Sequence, residues 1–302
     1  MDGPREPASA ASAAPDRRVA VVIGSGSVKC AAALGLMNVL EREGIGVSMV
    51  IGCSAGCLFA TMIAAGHSTE DAAALTRRLW TREIASQGNT RSLARVLLPK
   101  VFGFDSQFGL RSDTLILARL REAFGESHIE DMGIPLYLTA TDFGDGSQAV
   151  FSSGRVVDAI RASIAVPFLF SPWRVGGRLY LDGYMADPLP VGVAIKEGAE
   201  VIVAMGFESP YQDNVTSGAR FAFQVSSILS NNLLKSQFAF HALAHHAEVI
   251  PIIPEFRQRI HLFDTGKIPY IIEEGERAAE AQMPYLRRLL DAGSPTRAAA
   301  GS

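Results

Sequence analysis

Residues 44–69 read GIGVSMVIGCSAGCLFATMIAAGHST, and the way this stretch divides decides the fold. It holds no Asp, Glu, Lys or Arg, so on length and apolarity alone it passes for a membrane span. Its interior divides otherwise. Gly46, Gly52, Gly56 and Gly66 punctuate it, Ser48, Cys53 and Ser54 sit mid-run, and the β-branched piece Val47 to Ile51 stops at a glycine. A strand over 47–51, a sharp turn over 52–56 and a buried helix from Leu58 to Ala65 each have the length of an element of a soluble fold.

The same unit occurs immediately upstream. Arg18 to Ile23 is a short apolar run closed by Gly24-Ser25-Gly26-Ser27, and a helical pattern follows from Val28 to Glu43. Two consecutive strand–helix units imply a parallel sheet covered on both faces. Downstream, the periodicity predicts helices over 71–82, 113–124, 155–163, 191–197, 217 to about 246 and about 270 to 291. It predicts strands over 134–141, 148–152, 173–175, 178–181, 200–205 and 249–253. The expected fold is therefore α/β: a three-layer α/β/α domain over 18–291 with a mostly parallel central sheet. Residues 1–18 read as a disordered leader and 292–302 as a disordered tail. Residues 86–110 combine weak periodicity with many aliphatic and Phe residues and form a candidate lid.

Composition narrows the function. The 302 residues are 48% hydrophobic and 20% charged, which excludes a disordered polymer, and the net charge of −3 offers no general attraction to nucleic acid. Three cysteines, with Cys53 and Cys57 four apart and no second pair at ligand spacing, make neither a disulfide framework nor a zinc site. A reducing cytosol is the expected compartment, with the inner membrane surface as a peripheral alternative.

Gly52-Cys53-Ser54-Ala55-Gly56 matches G-x-S-x-G where a strand hands over to a helix. A serine on such a turn is pushed clear of the backbone, and the helix amides that follow present positive potential to a developing oxyanion. Gly24 to Ser27 forms the equivalent turn one unit earlier, so parallel pairing brings it beside Ser54 at the carboxyl edge of the sheet. A dinucleotide fingerprint fails there, because Lys29 stands at the third-glycine position and no acidic residue ends the second strand. None of the six histidines, His67, His128, His241, His245, His246 and His261, is framed by a glycine-bounded loop at a strand end. The alternative base is Asp182 in Leu181-Asp182-Gly183, which spacing alone does not separate from an ordinary Asp-Gly turn.

Four ordered blocks resemble the patatin-like phospholipase family: Gly24-Ser-Gly-Ser-Val-Lys29, Gly52-Cys-Ser-Ala-Gly56, Arg161-Ala-Ser-Ile-Ala-Val-Pro167 and Leu181-Asp-Gly-Tyr-Met-Ala-Asp-Pro-Leu-Pro190. Together they cover about 19–205. The resemblance implies a patatin-like fold and a catalytic dyad without histidine, with Ser54 as nucleophile and Asp182 as its base. It also implies oxyanion donors in the glycine-rich loop, at the amides of Gly24, Ser25, Gly26, Ser27 and Val28, with Lys29 where an arginine is usual. Gly52, Gly56 and Gly183 support the two turns. Two departures stand out: serines interrupt the loop, and Tyr184 follows Asp182-Gly183 where a small residue is usual, narrowing the pocket.

The resemblance implies hydrolysis of fatty acyl esters, such as those of phospholipids, through an acyl-enzyme, with no metal or organic cofactor. An aspartate base needs apolar walls to raise its proton affinity, and Ile51, Phe59, Phe168, Phe170 and Trp173 are candidates. Two rivals stay open: an α/β-hydrolase triad of Ser54, Asp182 and His241 or His261, and a non-catalytic lipid-binding scaffold. Residues 86–110, with Arg91, Arg95 and Lys100, are a candidate contact with an anionic membrane, and the uncharged run Phe221 to Leu234 suits lipid or a second subunit. No nucleic-acid partner is expected, and a homo-oligomer is left open.

Overall fold

The computed structural model describes residues 17–86, 88, 108–209, 211, 214–216, 218–243 and 247–292. The leader before Arg17, the tail after Ala292 and most of the expected lid lie outside these residues. Arg18, where the expected leader and domain meet, is tied to the sheet: its carbonyl accepts from the amides of Glu200 and Val201.

The strands are β1 (Val19–Ile23), β2 (Met49–Cys53), β3 (Leu136–Asp142), β4 (Gln148–Phe151), β5 (Trp173–Val175), β6 (Arg178–Asp182), β7 (Val201–Met205) and β8 (Glu248–Ile252). They form one sheet, paired in the order β5-β6-β3-β2-β1-β7-β8 with β4 also on β3. The β1, β2, β3, β7 and β8 pairings are parallel, whereas β4, β5 and β6 join antiparallel. β1, β2 and β7 read VAVVI, MVIGC and VIVAM, and every residue of all three is buried. Continuous apolar runs of this kind are what a parallel strand needs when helices cover both its faces.

The helices are α1 (Ala32–Arg42), α2 (Gly56–Ala64), α3 (Thr69–Leu79), α4 (Thr114–Phe124), α5 (Val156–Ser163), α6 (Val191–Lys196), α7 (Gly218–Leu243) and α8 (Ile268–Ala292). The predicted first helix starts late, because Ser27–Ala31 is a 3-10 turn leading into α1. Alternation along β1 sorts the layers. Val19, Val21 and Ile23 pack with residues of α1 to α5 and α8, while Ala20 and Val22 pack with α6 and with Leu234 and Phe238 of α7. The result is a mixed sheet between two helical layers. Among the described residues no helix is long and apolar enough to cross a membrane.

The register places the carboxyl ends together. Ile23 pairs with Gly52 on one side and Met205 on the other, so the turns after β1, β2 and β7 open at one edge of the sheet.

Candidate active site

Ser54 follows the last residue of β2 and has φ 55°, in the left-handed region where a side chain is strained. The turn is held from three sides. The Ser54 amide donates to Ser163 Oγ at 2.7 Å, and Ser163 Oγ donates to the Thr139 carbonyl at 2.6 Å, which ties the elbow to the end of α5 and to β3. Beyond the elbow, α2 presses onto the first turn. A Cβ on Gly56 would lie 2.5 Å from the Ile23 carbonyl oxygen, so only glycine permits this approach.

Asp182 lies 128 residues away in sequence, and the sheet explains how the two meet. Leu138 and Thr139 of β3 pair with both β2 and β4, whereas Ala140 and Thr141 pair with both β4 and β6. A strand has only two edges, so β2 and β6 share one of them, end to end. On that edge β2 ends at Cys53 opposite Thr139, and antiparallel β6 ends at Asp182 opposite Ala140. The two carboxyl termini therefore meet head-on at consecutive residues of β3. The chain turns away from this junction at Gly183, where a Cβ would come within 2.6 Å of the Thr139 carbonyl oxygen.

Ser54 Oγ donates to Asp182 Oδ2 at 2.7 Å, and the Tyr184 amide donates to Oδ1 at 3.1 Å. Asp182 has no solvent exposure, and burial pushes its pKa up to about 7. The bonds from Ser54 and Tyr184 and the charge of Arg161 pull in the opposite direction and keep the carboxylate accessible near neutrality.

The glycine-rich loop lies beside this pair, with a correction to the expected donors. The Gly24 amide donates to the Met205 carbonyl and the Ser25 amide to the Pro188 carbonyl, both at 2.9 Å, so these two are already committed. The first continues the hydrogen bonding of β1 with β7, and the second ties the loop to the segment after β6. Among the described residues, no backbone carbonyl accepts from the amides of Gly26, Ser27 or Val28. Gly26 and Ser27 line the cleft over Ser54, whereas Val28 is buried. Ser27 takes φ 54°, and its hydroxyl donates to the Leu262 carbonyl at 2.6 Å, which holds the strained turn. Lys29 points elsewhere: its ammonium donates to the Glu208 carbonyl at 3.0 Å and stands 5.8 Å from the Phe256 ring centre, and burial lowers its pKa.

Above Ser54 opens a cleft. Its walls are mainly apolar, with Trp80, Ile164, Leu169, Phe170, Phe223 and Phe263 prominent among them. Of the five side chains expected as walls, only Phe170 lines it. Ile51 and Phe59 are fully inside the core, Trp173 stacks on Arg161, and Phe168 is exposed at φ 67°. The sequence reading missed the contributions of α7 and of Leu262-Phe263, which lie beyond the four recognisable blocks. Tyr184 does narrow the cleft, and burial pushes its phenol up to about 12. Among the described side chains, no histidine bonds to Ser54 or Asp182 or lines the cleft. The side chains of His241, His245 and His246 lie outside the description. Among the described residues no His/Cys/Asp/Glu group is arranged to hold a metal, and the three cysteines are buried and free.

Arg161 is the residue whose place was least expected. It is fully buried on α5, between the rings of Phe170 and Trp173 at 5.3 and 5.2 Å, and its guanidinium donates to Asp113 Oδ1 and to the Ser171 carbonyl. Asp113, the residue before α4, makes no cap bond, and its carboxylate accepts from this arginine. The charge thus stands two residues from Ser163, which braces the elbow.

The family model described as patatin-like phospholipase matches residues 21–195. An NTE family protein of Mycobacterium tuberculosis is 32% identical over 188 residues, covering 62% of this chain and 48% of its own length. Lysophospholipase NTE1 of Debaryomyces hansenii is 26% identical over 187 residues, covering 62% of this chain and 12% of that protein. The crystal structure of VipD from Legionella pneumophila aligns with TM-score 0.47 and 16% identity, over 93% of this chain and 68% of that one. The chain spans about half the length, or less, of these curated relatives.

Proposed function

The chain belongs to the patatin-like phospholipase family, and from that premise we propose that it is a lipid acyl hydrolase working through Ser54 and Asp182. The observation that carries this reading is the 2.7 Å bond from Ser54 Oγ to a fully buried carboxylate at the floor of an apolar cleft. Asp182 takes the Ser54 proton as Oγ attacks the ester carbonyl carbon, and the carbonyl π electrons move onto oxygen. The oxyanion is assigned to the amides of Gly26 and Ser27, with that of Ala55 at the head of α2; that all three residues line the cleft supports the assignment. Collapse expels the alcohol, which leaves with the proton from Asp182, and the acyl group stays on Ser54. Water, deprotonated by Asp182, then releases the fatty acid. A base with pKa about 7 is matched to this task at neutral pH. The proposed substrates are fatty acyl esters of phospholipids or lysophospholipids, their acyl chain lying along the apolar walls.

A fluorophosphonate that adds the mass of one phosphonyl group to Ser54, read by peptide mass spectrometry, tests the nucleophile. Hydrolysis of p-nitrophenyl esters by the six single His→Ala variants tests the base. Each is expected to stay within ~3-fold of wild type, against the ~10²–10⁴-fold loss that removing a general base causes. A collapse in one histidine variant would replace the dyad by a triad.

Arg161 acts through Asp182 as a positioning residue. Arg161→Met removes a positive charge that favours the carboxylate, so the acid limb of kcat/KM should move to higher pH. It should also destabilise the chain toward the lower end of ~3–5 kcal/mol, because Asp113 keeps some solvent when its partner goes. Arg161→Lys keeps the charge and loses the planar stack, so its limb should stay near wild type while its stability falls. Identical pH profiles in the two variants would limit Arg161 to packing.

A further inference from the structure

Phe221 to Leu234 carries no Asp, Glu, Lys or Arg, and in α7 its side chains separate into two faces that are inverted relative to an ordinary surface helix. At 100° per residue, Phe221, Val225, Ile228 and Leu229 fall on one side, and Phe240 shares that side three turns on, beyond Asn232, Lys235 and Ser236. These are the outward residues: Phe221 is 62% exposed, Leu229 61% and Phe240 66%. The inward side is the polar one. Ser227, Ser230 and Asn231 are buried, and Phe223, Ser226 and Ser227 line the cleft that holds Ser54.

Specific bonds fix this orientation. Asn231 Oδ1 accepts from the Ser209 amide at 2.7 Å, and Asn231 Nδ2 donates to the Ser209 carbonyl at 3.0 Å. Leu234 and Phe238, on the same inward side, join the core layer against β1, β2 and β7. Turning the helix over would strand the asparagine and lose that packing, so the apolar face is held outward by the fold itself. In water such a stripe is costly, and a contiguous exposed patch of large apolar side chains marks an interaction surface.

We infer that the outward face of α7 is the surface by which this protein docks on a lipid bilayer. The inference rests on the acyl hydrolase reading in one respect, the need for an acyl ester to pass from a lipid phase into the cleft. Continuity supports it: one helix forms the cleft wall on its inner side and the exposed stripe on its outer side, so a surface covering the stripe lies at the rim of the cleft. Charge supports it as well. No acidic residue lies within the uncharged run, and of the two cations that bracket it Lys235 pairs with Glu208 at 3.5 Å and Arg220 donates to the Asn214 carbonyl, so the insertion is an apolar one. From Phe221 to Leu229 the stripe extends roughly 12 Å, at the usual rise of an α-helix, and exposed Asn232, Lys235 and Ser236 follow it on the same side. With a net charge of −3 the chain has no general pull toward anionic lipid, so apolar contact carries the binding.

The test uses the full chain carrying Ser54→Ala, so that lipid is bound without turnover, and flotation with phosphatidylcholine vesicles with or without phosphatidylglycerol. Phe221→Ser with Leu229→Ser should lower vesicle partitioning by ~10-fold or more, while Val150→Ser, an exposed apolar residue elsewhere, leaves it unchanged. Raising salt to about 0.5 M should change wild-type partitioning by less than ~3-fold. In the Ser54 background, hydrolysis of a short, water-soluble ester should be the same with and without the α7 substitutions. Three results would overturn the inference: no vesicle binding by the parent, binding insensitive to the α7 substitutions, or a dimer in light scattering that those substitutions dissociate. Failure of the short ester to react at all would instead remove the hydrolase reading, and the flotation result would stand apart from it.

Discussion

Ser54→Ala is expected to lower kcat/KM for acyl esters by ~10⁴–10⁶-fold, the range seen when a serine hydrolase loses its nucleophile and keeps its oxyanion donors and binding cleft. The loss should appear in kcat, because the cleft walls that bind the acyl chain are untouched. The same substitution removes one of the bonds that favour ionised Asp182, so the carboxyl group should rise above its value of about 7 and be protonated over more of the neutral range. Stability gives an independent reading of the elbow. Alanine keeps the strain of φ 55°, whereas glycine relieves it, so Ser54→Gly should be as inactive as Ser54→Ala and yet more stable by about 1 kcal/mol in urea unfolding. Hydrolysis retained by either variant would remove Ser54 from the chemistry. Equal stabilities would remove strain from the account of the turn.

The parts of this site that were legible in the sequence are those built from neighbours in sequence. Met49 to Gly56 announces a buried strand stopping at a glycine turn, because β-branched residues and glycines have strong local preferences. Asp182 was different. Its neighbourhood reads as any Asp-Gly turn, and its role was implied by resemblance, because what places it is the antiparallel return of β6 onto the same edge of β3 as β2. Nothing local encodes a shared edge. The loop donors were legible as a loop and not as individual amides: Gly24 and Ser25 spend theirs on Met205 and Pro188, partners more than 160 residues away. Arg161 was hidden for the opposite reason, since an arginine on a short helix reads as solvated and its burial depends on two aromatic rings and Asp113 brought from other elements. Likewise, the uncharged run in α7 was visible, but which side of it faced the cleft was decided by Asn231 and the Ser209 backbone.

Asp182→Asn should separate activity from stability more clearly than any other substitution. The amide cannot take a proton from Ser54, so kcat/KM should fall ~10²–10⁴-fold, and the acid limb near pH 7 should vanish from what remains. Stability should move the other way. Burial raises the folded-state pKa of Asp182 from 3.8 to about 7, so between these values the folded chain holds a proton that the unfolded chain has released. Folding is then favoured by this group at low pH, loses that contribution as pH rises from about 4 to about 7, and stays without it above. At 1.36 kcal/mol per unit the loss is on the order of 4 kcal/mol, the cost of keeping a charge away from water. Asparagine carries no such charge, and its side chain can still accept from the Tyr184 amide and donate to Ser54 Oγ. The variant should therefore melt roughly 8–16 °C above wild type at pH 8, given about 2–4 °C per kcal/mol for a domain of this size. At pH 4.5 the gap should shrink to about 1 kcal/mol, because folded Asp182 is neutral there and only the unfolded chain has begun to release its proton. The comparison of melting curves at the two pH values is the check. A gain independent of pH would mean that packing, not charge, is responsible, and a loss at pH 8 would mean that Asp182 is not the desolvated base the site requires.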